Sequence, residues 1–215
     1  MTYDFSVWFY AFPYMLAGAV TTLEISALAM VAGSVIGLLC GLLSQSGLAP
    51  VRWTIRGYVY FVRGTPALVQ IFLIYFALPV IGIELSPFWG GVVALAFNAG
   101  GFMAEIVRAG LQSIERGQTE AAQSIGMTNR QTLLYILLPQ SLRVITPPVT
   151  NELITLVKSS SLLSVISVFE LTRATQVIIA ERFTPFELYL LLAIFYLVMV
   201  SVLSYVSEFI EARLA

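Results

Sequence analysis

The chain has 215 residues, of which 59% are apolar and only 11% are charged, and its formal net charge is −1. A soluble domain usually carries about a quarter charged residues, so this composition predicts an integral membrane protein. The absence of His and the single cysteine, Cys40, exclude zinc sites, His-dependent catalytic sites and disulfides, and the charge excludes a general nucleic-acid binder. The single lysine, Lys158, follows Val157 and not a glycine, which excludes an ATP-binding P-loop.

Five stretches of the chain are apolar and long enough to cross a membrane. A helix rises about 1.5 Å per residue, so a hydrocarbon core of about 30 Å requires roughly 20 residues. The predicted spans cover approximately residues 14–43, 58–82, 87–108, 144–169 and 187–209. They predict an all-α membrane protein with one transmembrane domain over residues 1–215. The N-terminal segment contains Asp4 and lacks a basic region, so we expect the first span to be retained and not cleaved as a signal peptide.

The basic residues predict the orientation in the membrane. If the N-terminus is outside, two arginines lie in outer segments, Arg173 and Arg182. The inner segments then hold eight: Arg52, Arg56, Arg63, Arg108, Arg116, Arg130, Arg143 and Arg213. The positive-inside rule therefore predicts an external N-terminus, a cytoplasmic C-terminus and a cytoplasmic location for segment 109–143.

Segment 109–143 has the pattern of an ordered loop. Residues 115–123 and 128–138 predict two short helices, with a turn at Gly126 between them and with Pro139 ending the second helix.

One motif within this loop is specific. It reads Glu120-Ala121-Ala122, three residues, Gly126, nine residues, and then Ile136-Leu137-Leu138-Pro139. This pattern resembles the EAA loop of ABC importer permeases, in which a short helix docks on a cytoplasmic ATPase. The resemblance makes Glu120, Ala121, Ala122, Gly126, Ile136 and Pro139 the candidate ATPase-coupling residues.

Other segments resemble the polar amino acid branch of these permeases, which includes histidine, glutamine, arginine, glutamate and cystine importers. They are Arg63-Gly64-Thr65-Pro66, residues 104–110, residues 151–162 and residues 170–173. Gly100-Gly101 departs from the Ser-Ala pair of many relatives.

The resemblance implies a type I importer permease of the bacterial inner membrane, which is not an enzyme. It implies a passage for a polar or charged amino acid and no cofactor in this chain, because a pair of separate ATPase subunits binds ATP and magnesium. The other implied partners are a second permease chain, identical or paralogous, an external solute-binding protein and membrane lipid, but no nucleic acid.

The fourth span contains two charges, Glu152 and Lys158. A charge at the bilayer centre costs about 2.5–3.5 kcal/mol, so it normally faces a cavity or a partner. A separation of six residues places these two on different faces of a regular helix. Pro147-Pro148 and the three serines at 159–161 could permit an irregular helix. The two charges either line the passage, where they complement the ammonium and carboxylate of an amino acid, or pair with a second subunit.

Weaker substrate-binding candidates are Gln70, Asn98, Ser159, Ser160 and Ser161. For Gln70 and Asn98, hydrogen bonding between helices is the commoner role.

Two other features predict helix contacts. Glu105 and Arg108 are three residues apart and share a helix face, either as a contact that locks the loop or as an interfacial ion pair. Gly33, Gly37 and Gly41 form a strip of small residues for helix packing.

Three other functional classes compete with the importer. An ion-coupled secondary transporter or channel could use Glu152 as a proton relay, but it has no reason to carry the loop motif. A membrane scaffold or sensor would not explain two costly buried charges. An intramembrane Ser–Lys enzyme that uses Lys158 has no supporting pattern in the sequence.

Overall fold

The computed structural model describes residues 4–214, which are almost entirely helical and contain no strand. In chain order the α-helices are α1 Val7–Leu43, α2 Ala49–Gly64, α3 Ala67–Ala77, α4 Pro87–Gln112, α5 Arg116–Ser124, α6 Asn129–Thr132, α7 Leu138–Ser159, α8 Leu171–Arg182 and α9 Pro185–Leu214. Short 3₁₀ segments follow α3 and α7, at Pro79–Ile81 and Ser160–Ile166, and a π-helical turn, Leu133–Leu137, precedes α7.

Three of these helices, α1, α4 and α9, are individually long and apolar enough to cross a membrane. Two bent helix pairs raise the number of possible spans within residues 4–214 to five. The predicted all-α membrane fold is therefore confirmed. Two of the five predicted spans, 58–82 and 144–169, are parts of bent helix pairs and not single straight helices.

The predicted span 58–82 consists of two helices, α2 and α3, which meet at an angle of 116°. Pro66 causes the break, because its ring fixes φ, removes an N–H donor and disfavours helical backbone at the residue before it. Thr65 accordingly has extended backbone, with φ −125° and ψ 148°. Helix α3 begins at Ala67, and α2 runs in a different direction.

The predicted span 144–169 is part of a longer helical segment, which is continuous from Asn129 to Ile166. The prediction that Pro139 ends a helix is wrong, since Pro139 lies in the first turn of α7, directly after the π-helical turn, and the helical segment continues through it. Pro147 and Pro148 lie inside α7 without ending it. The break comes later, at Ser167, whose φ of 63° is left-handed and after which α8 departs at 48°.

The most extensive helix contact joins α1 to α4. A Cβ on Gly33 would lie 2.8 Å from the Ala99 Cβ, and a Cβ on Gly41 would lie 2.6 Å from Val107 Cγ1. At Gly37 an added Cβ would overlap Met103. The predicted packing role of these three glycines is confirmed, because each one lets the α4 backbone approach α1 closely.

A buried carboxylate, that of Glu170, connects the start of α8 to α9. Glu170 precedes α8 and is fully buried, and its carboxylate accepts hydrogen bonds from the amides of Arg173 at 2.7 Å and Thr172 at 2.9 Å. The Tyr196 hydroxyl of α9 donates to the same group at 3.3 Å. Glu170 therefore caps α8 and ties it to α9.

The α1–α4 contact generates a stability prediction. We expect Gly37→Ala to lower the free energy of unfolding by about 1–3 kcal/mol, because the new methyl group would overlap Met103 and lie 2.9 Å from the Ala104 amide nitrogen. Gly57→Ala is the matched control, since a Cβ there meets no atom within 4 Å and alanine favours a helix. Thermal unfolding in detergent measures both variants. Equal midpoints for the two would contradict the close α1–α4 contact.

Candidate functional site

Helix α7 has a buried face and an exposed polar face. Ile145, Glu152 and Leu156 recur at helical spacing and are buried, and Ile145 packs where a side chain on Gly110 of α4 would otherwise stand. Asn151, Thr155 and Lys158 lie on another side of α7 and are exposed. We call these three residues the polar face of α7. A polar strip on the exterior of a membrane helix requires a cavity or a protein partner.

Glu152 lies on the buried face and is only 9% exposed. Within residues 4–214 its carboxylate has neither a hydrogen bond nor an ion-pair partner, since none of the three salt bridges includes it. An unpaired carboxylate at this depth is expensive and is typical of a functional position.

Lys158 lies on the polar face, about 120° around α7 from Glu152 if the helix is regular. The expectation that the two do not stack on one face agrees with this placement, and no salt bridge joins them. The ammonium of Lys158 has no carboxylate within 4 Å in the described part of the chain. Within the predicted span 144–169, α7 therefore presents one unpaired charge of each sign.

The three serines that follow Lys158 differ in their contacts. The hydroxyls of Ser160 and Ser161 donate to carbonyls three residues back, Val157 at 2.9 Å and Lys158 at 2.7 Å. They thus accompany the change from α to 3₁₀ geometry at this point, which agrees with the expected irregularity. Ser159 is half-buried, and its hydroxyl has no hydrogen bond among the described residues.

Gln70 and Asn98 are hydrogen-bonded to each other, with the Asn98 amide donating to Gln70 Oε1 at 3.0 Å. Gln70 is 1% exposed, and its own amide donates to the carbonyls of Val62 at 2.9 Å and Thr65 at 3.1 Å. These carbonyls lie at the α2–α3 bend, where the helix no longer supplies N–H partners. The pair therefore satisfies the broken backbone and ties it to α4, which is the alternative role foreseen for both residues.

The loop motif forms α5 and the turn after it. Glu120 and Ala121 are exposed, but Ala122 is 3% exposed and packs within the chain. Only Ala121 of the alanine pair can therefore allow close approach by a partner. Ile125, 79% exposed and four residues beyond Ala121, adds an apolar side chain to the same side of this surface.

Gly126 closes α5 in a left-handed conformation, with φ 84°. Its amide donates to the Gln123 carbonyl at 2.9 Å, and the Met127 amide donates to the Ala122 carbonyl at 3.1 Å, which together form a Schellman motif. The predicted turn at Gly126 is confirmed. Thr128 then starts α6 with a reciprocal capping box to Gln131.

The last two coupling candidates lie where the loop joins α7. Ile136 is half-buried in the π-helical turn, and Pro139 is exposed in the first turn of α7. The Gln140 amide donates to the Ile136 carbonyl at 3.0 Å.

Glu105 and Arg108 form the expected contact near the end of α4. Arg108 Nε donates to Glu105 Oε2 at 2.9 Å, and Arg63 Nη1 lies 3.5 Å from Glu105 Oε1. The pair thus links α4 to the end of α2.

Sequence reasoning overlooked Asn151 and Thr155, which helical spacing from Lys158 could have placed on its face. It also overlooked the polar cap at Glu170, for which the sequence carries no comparable signal.

Comparison with known proteins decides the family. The model of the binding-protein-dependent transport system inner membrane component family matches residues 33–215. The chain belongs to this family. It is 38% identical to the glutamine transport system permease protein GlnP of Escherichia coli (strain K12), over 100% of this chain and 99% of that protein. It is also 38% identical to the L-cystine transport system permease protein TcyB of Bacillus subtilis (strain 168), over 94% of this chain and 87% of that protein.

A solved structure shows the same architecture along nearly the whole chain. The crystal structure of an amino acid ABC transporter with histidines superposes with a TM-score of 0.93 at 37% identity, covering 99% of this chain and 100% of that chain. The predicted resemblance to ABC importer permeases is confirmed. This chain is a multi-pass permease subunit of the bacterial inner membrane, and ATP hydrolysis belongs to a separate subunit.

The contacts of Gln70 generate a prediction. We expect Gln70→Leu to destabilise the protein by about 1–3 kcal/mol, because the Val62 and Thr65 carbonyls and the Asn98 amide lose a buried partner. Gln140→Leu, at an exposed position, is the control. Thermal unfolding midpoints in detergent test this. An unchanged midpoint together with a raised transport KM would instead make Gln70 a substrate ligand.

Proposed function

We propose that this permease forms half of the passage for a polar or charged amino acid. The observation that carries the proposal is the pair of unpaired charges on α7, Glu152 on the buried face and Lys158 on the polar face. An amino acid presents an ammonium and a carboxylate, and each charge of α7 complements one of them. The printed names of the relatives support an amino acid substrate. Since glutamine and cystine permeases are equally similar, these names do not choose the side chain.

The candidate residues divide into two groups in this proposal. Glu152, Lys158 and Ser159 retain unused polar groups and bind the substrate. Gln70 and Asn98 hold the α2–α3 bend against α4, and Ser160 and Ser161 shape the end of α7 beside the passage. The second group thus positions the helices around the substrate and does not contact it.

The polar face of α7 also supports a second permease chain in the complex. Asn151, Thr155 and Lys158 are exposed on a single chain, yet lipid cannot solvate them. A second permease, identical or paralogous, would enclose this face and complete the passage. An external binding protein would then deliver the amino acid.

Energy enters through the loop 109–143, which docks on the ATPase pair that binds ATP and magnesium. The exposed surface of Glu120, Ala121 and Ile125 suits a groove in the partner, since Ala121 leaves room for close contact. This arrangement requires the loop to be cytoplasmic, and the excess of arginine on that side supports an external N-terminus and a cytoplasmic C-terminus.

Docking on α5 can be tested by enlarging its exposed alanine. We expect Ala121→Arg to abolish co-purification of the ATPase, because the long side chain fills the space needed for close contact, while thermal stability is unchanged at this exposed position. Gln123→Arg introduces the same side chain on the opposite side of α5 and serves as control. Normal ATPase recovery with Ala121→Arg would contradict this docking surface.

The substrate proposal is tested with the complete complex in liposomes. ATP hydrolysis is measured with the binding protein and a panel of basic, acidic and neutral polar amino acids. If basic amino acids stimulate hydrolysis, we expect Glu152→Gln to raise the half-saturating concentration about tenfold or more, since a charged hydrogen bond is lost. If acidic amino acids stimulate hydrolysis, we expect Lys158→Gln to raise the half-saturating concentration by a similar factor.

Arg213→Gln is the control for loss of a charge, because its guanidinium lies 4.5 Å over the Phe209 ring near the end of α9, outside the passage. No stimulation by any amino acid would overturn the proposed substrate. Unchanged half-saturation in both α7 variants, with normal subunit assembly, would overturn the assignment of Glu152 and Lys158.

A further inference from the structure

A second site lies away from α7, at the end of the bundle where α1 and α4 terminate. A cavity of about 570 Å³ opens there between α2 and α4, and we call it the α2–α4 cleft. Three guanidinium groups line it, those of Arg56 and Arg63 from α2 and that of Arg108 from α4. Glu105 is the one carboxylate among its lining residues. The cleft therefore carries an excess of positive charge.

The carboxylate does not neutralise this excess. Glu105 is occupied by Arg108, whose Nε donates to it at 2.9 Å, and it lies 3.5 Å from Arg63 Nη1. Arg56 has no ion-pair partner in the part of the chain that the structure describes. Guanidinium groups bind phosphate through paired hydrogen bonds, so the free donors of Arg56 and Arg63 suit a phosphate group.

One part of the cleft wall is apolar and aromatic, although Ser44, Gln45 and Gln112 also line the cleft. Val59 and Tyr60 belong to its wall beside the arginines. Trp53, Arg56, Tyr60 and Arg63 recur at intervals of three and four residues and therefore share one face of α2. Trp53 is 71% exposed and Tyr60 is 82% exposed. Aromatic and basic side chains on one face of a helix are typical of the membrane–water boundary.

The direction of α2 also fits this boundary. Helix α2 meets α3 at 116°, so it turns away from the direction of α3. The cleft thus combines two features: basic groups for a phosphate and an adjoining apolar wall for acyl chains.

We propose that the α2–α4 cleft binds the phosphate of an anionic phospholipid, with its acyl chains along Val59 and Tyr60. Arg56 and Arg63 hold the phosphate, and Glu105 positions Arg63 and Arg108 around it. This site is separate from the substrate passage. The proposal rests on the residues of the cleft and not on the proposed substrate.

Lipid retention tests the proposal on the full chain with its partner subunits. The complex is reconstituted in nanodiscs of equal phosphatidylglycerol and phosphatidylcholine, and native mass spectrometry counts the retained lipids. We expect preferential retention of phosphatidylglycerol and about a tenfold loss of it in Arg56→Gln, because a charged hydrogen-bond donor is removed. Arg63→Gln should act in the same direction. Arg213→Gln, which removes the same charge from α9, should stay within about twofold of the wild type.

Any of the following results would overturn the proposal: equal retention of the two lipids, retention unaffected by Arg56→Gln, an equal loss in Arg213→Gln, or loss of a protein subunit from the Arg56→Gln complex. The last would make the cleft a subunit contact. Full displacement of the lipid by millimolar glycerol phosphate would show that a free anion suffices and would overturn the lipid assignment. Because the readout is lipid retention and not transport, this proposal can fail without affecting the proposed substrate passage.

Discussion

The absence of water in the bilayer core is the constraint on which this structure depends. A broken helix exposes backbone carbonyls that lipid cannot satisfy. At the α2–α3 bend, Gln70 donates to the Val62 and Thr65 carbonyls, and Asn98 holds Gln70 from α4. Glu170 meets the corresponding need at the start of α8, where it accepts from two backbone amides. Gln70, Asn98 and Glu170 thus serve the breaks in the protein's own helices.

Glu152 and Lys158 stand out against this pattern because neither has a partner within the described chain. Gln70, Asn98 and Glu170 all have hydrogen-bond partners within the described chain, whereas the two charges of α7 have none there. These two charges therefore do not stabilise the fold of the single chain. The cost of keeping them is several kcal/mol on insertion scales, which only a bound substrate or a neighbouring subunit can offset. This contrast, more than the presence of charge in a membrane, makes α7 the candidate wall of the passage.

The sequence predicted most of the fold because membrane spans depend on length and apolarity, which are local properties. The glycines at 33, 37 and 41 predicted a helix-packing strip for the same reason, since their spacing alone defines a smooth surface, but only the structure identifies α4 as its partner. Two predictions failed at prolines, those at Pro66 and Pro139. Pro66 breaks a predicted span, whereas Pro139, Pro147 and Pro148 leave their helix continuous. Whether a proline breaks its helix depends on two things. One is whether neighbouring groups donate to the carbonyl that loses its N–H partner, and the other is the position of the proline in the helix. Neither can be read from a pattern of apolar residues. Candidate site residues could be chosen from the sequence by residue type, but the contacts that bury Gln70 and Ala122 are set by tertiary packing.

The continuity of the helix from Asn129 to Ile166 bears on how the loop and the passage communicate. The π-helical turn and the polar face of α7 belong to this one segment, and α5 is joined to it by the closed turn at Gly126. Had Pro139 ended a helix, a flexible joint would separate the docking surface from Lys158. If the ATPase docks on α5 as proposed, a displacement of α5 would reach the polar face of α7 through one helical segment. The π-helical turn in that segment keeps its own hydrogen bonds, such as the one from the Leu138 amide to the Leu133 carbonyl. A rigid connection of this kind transmits the motion of a docked partner without requiring any intermediate loop to become ordered.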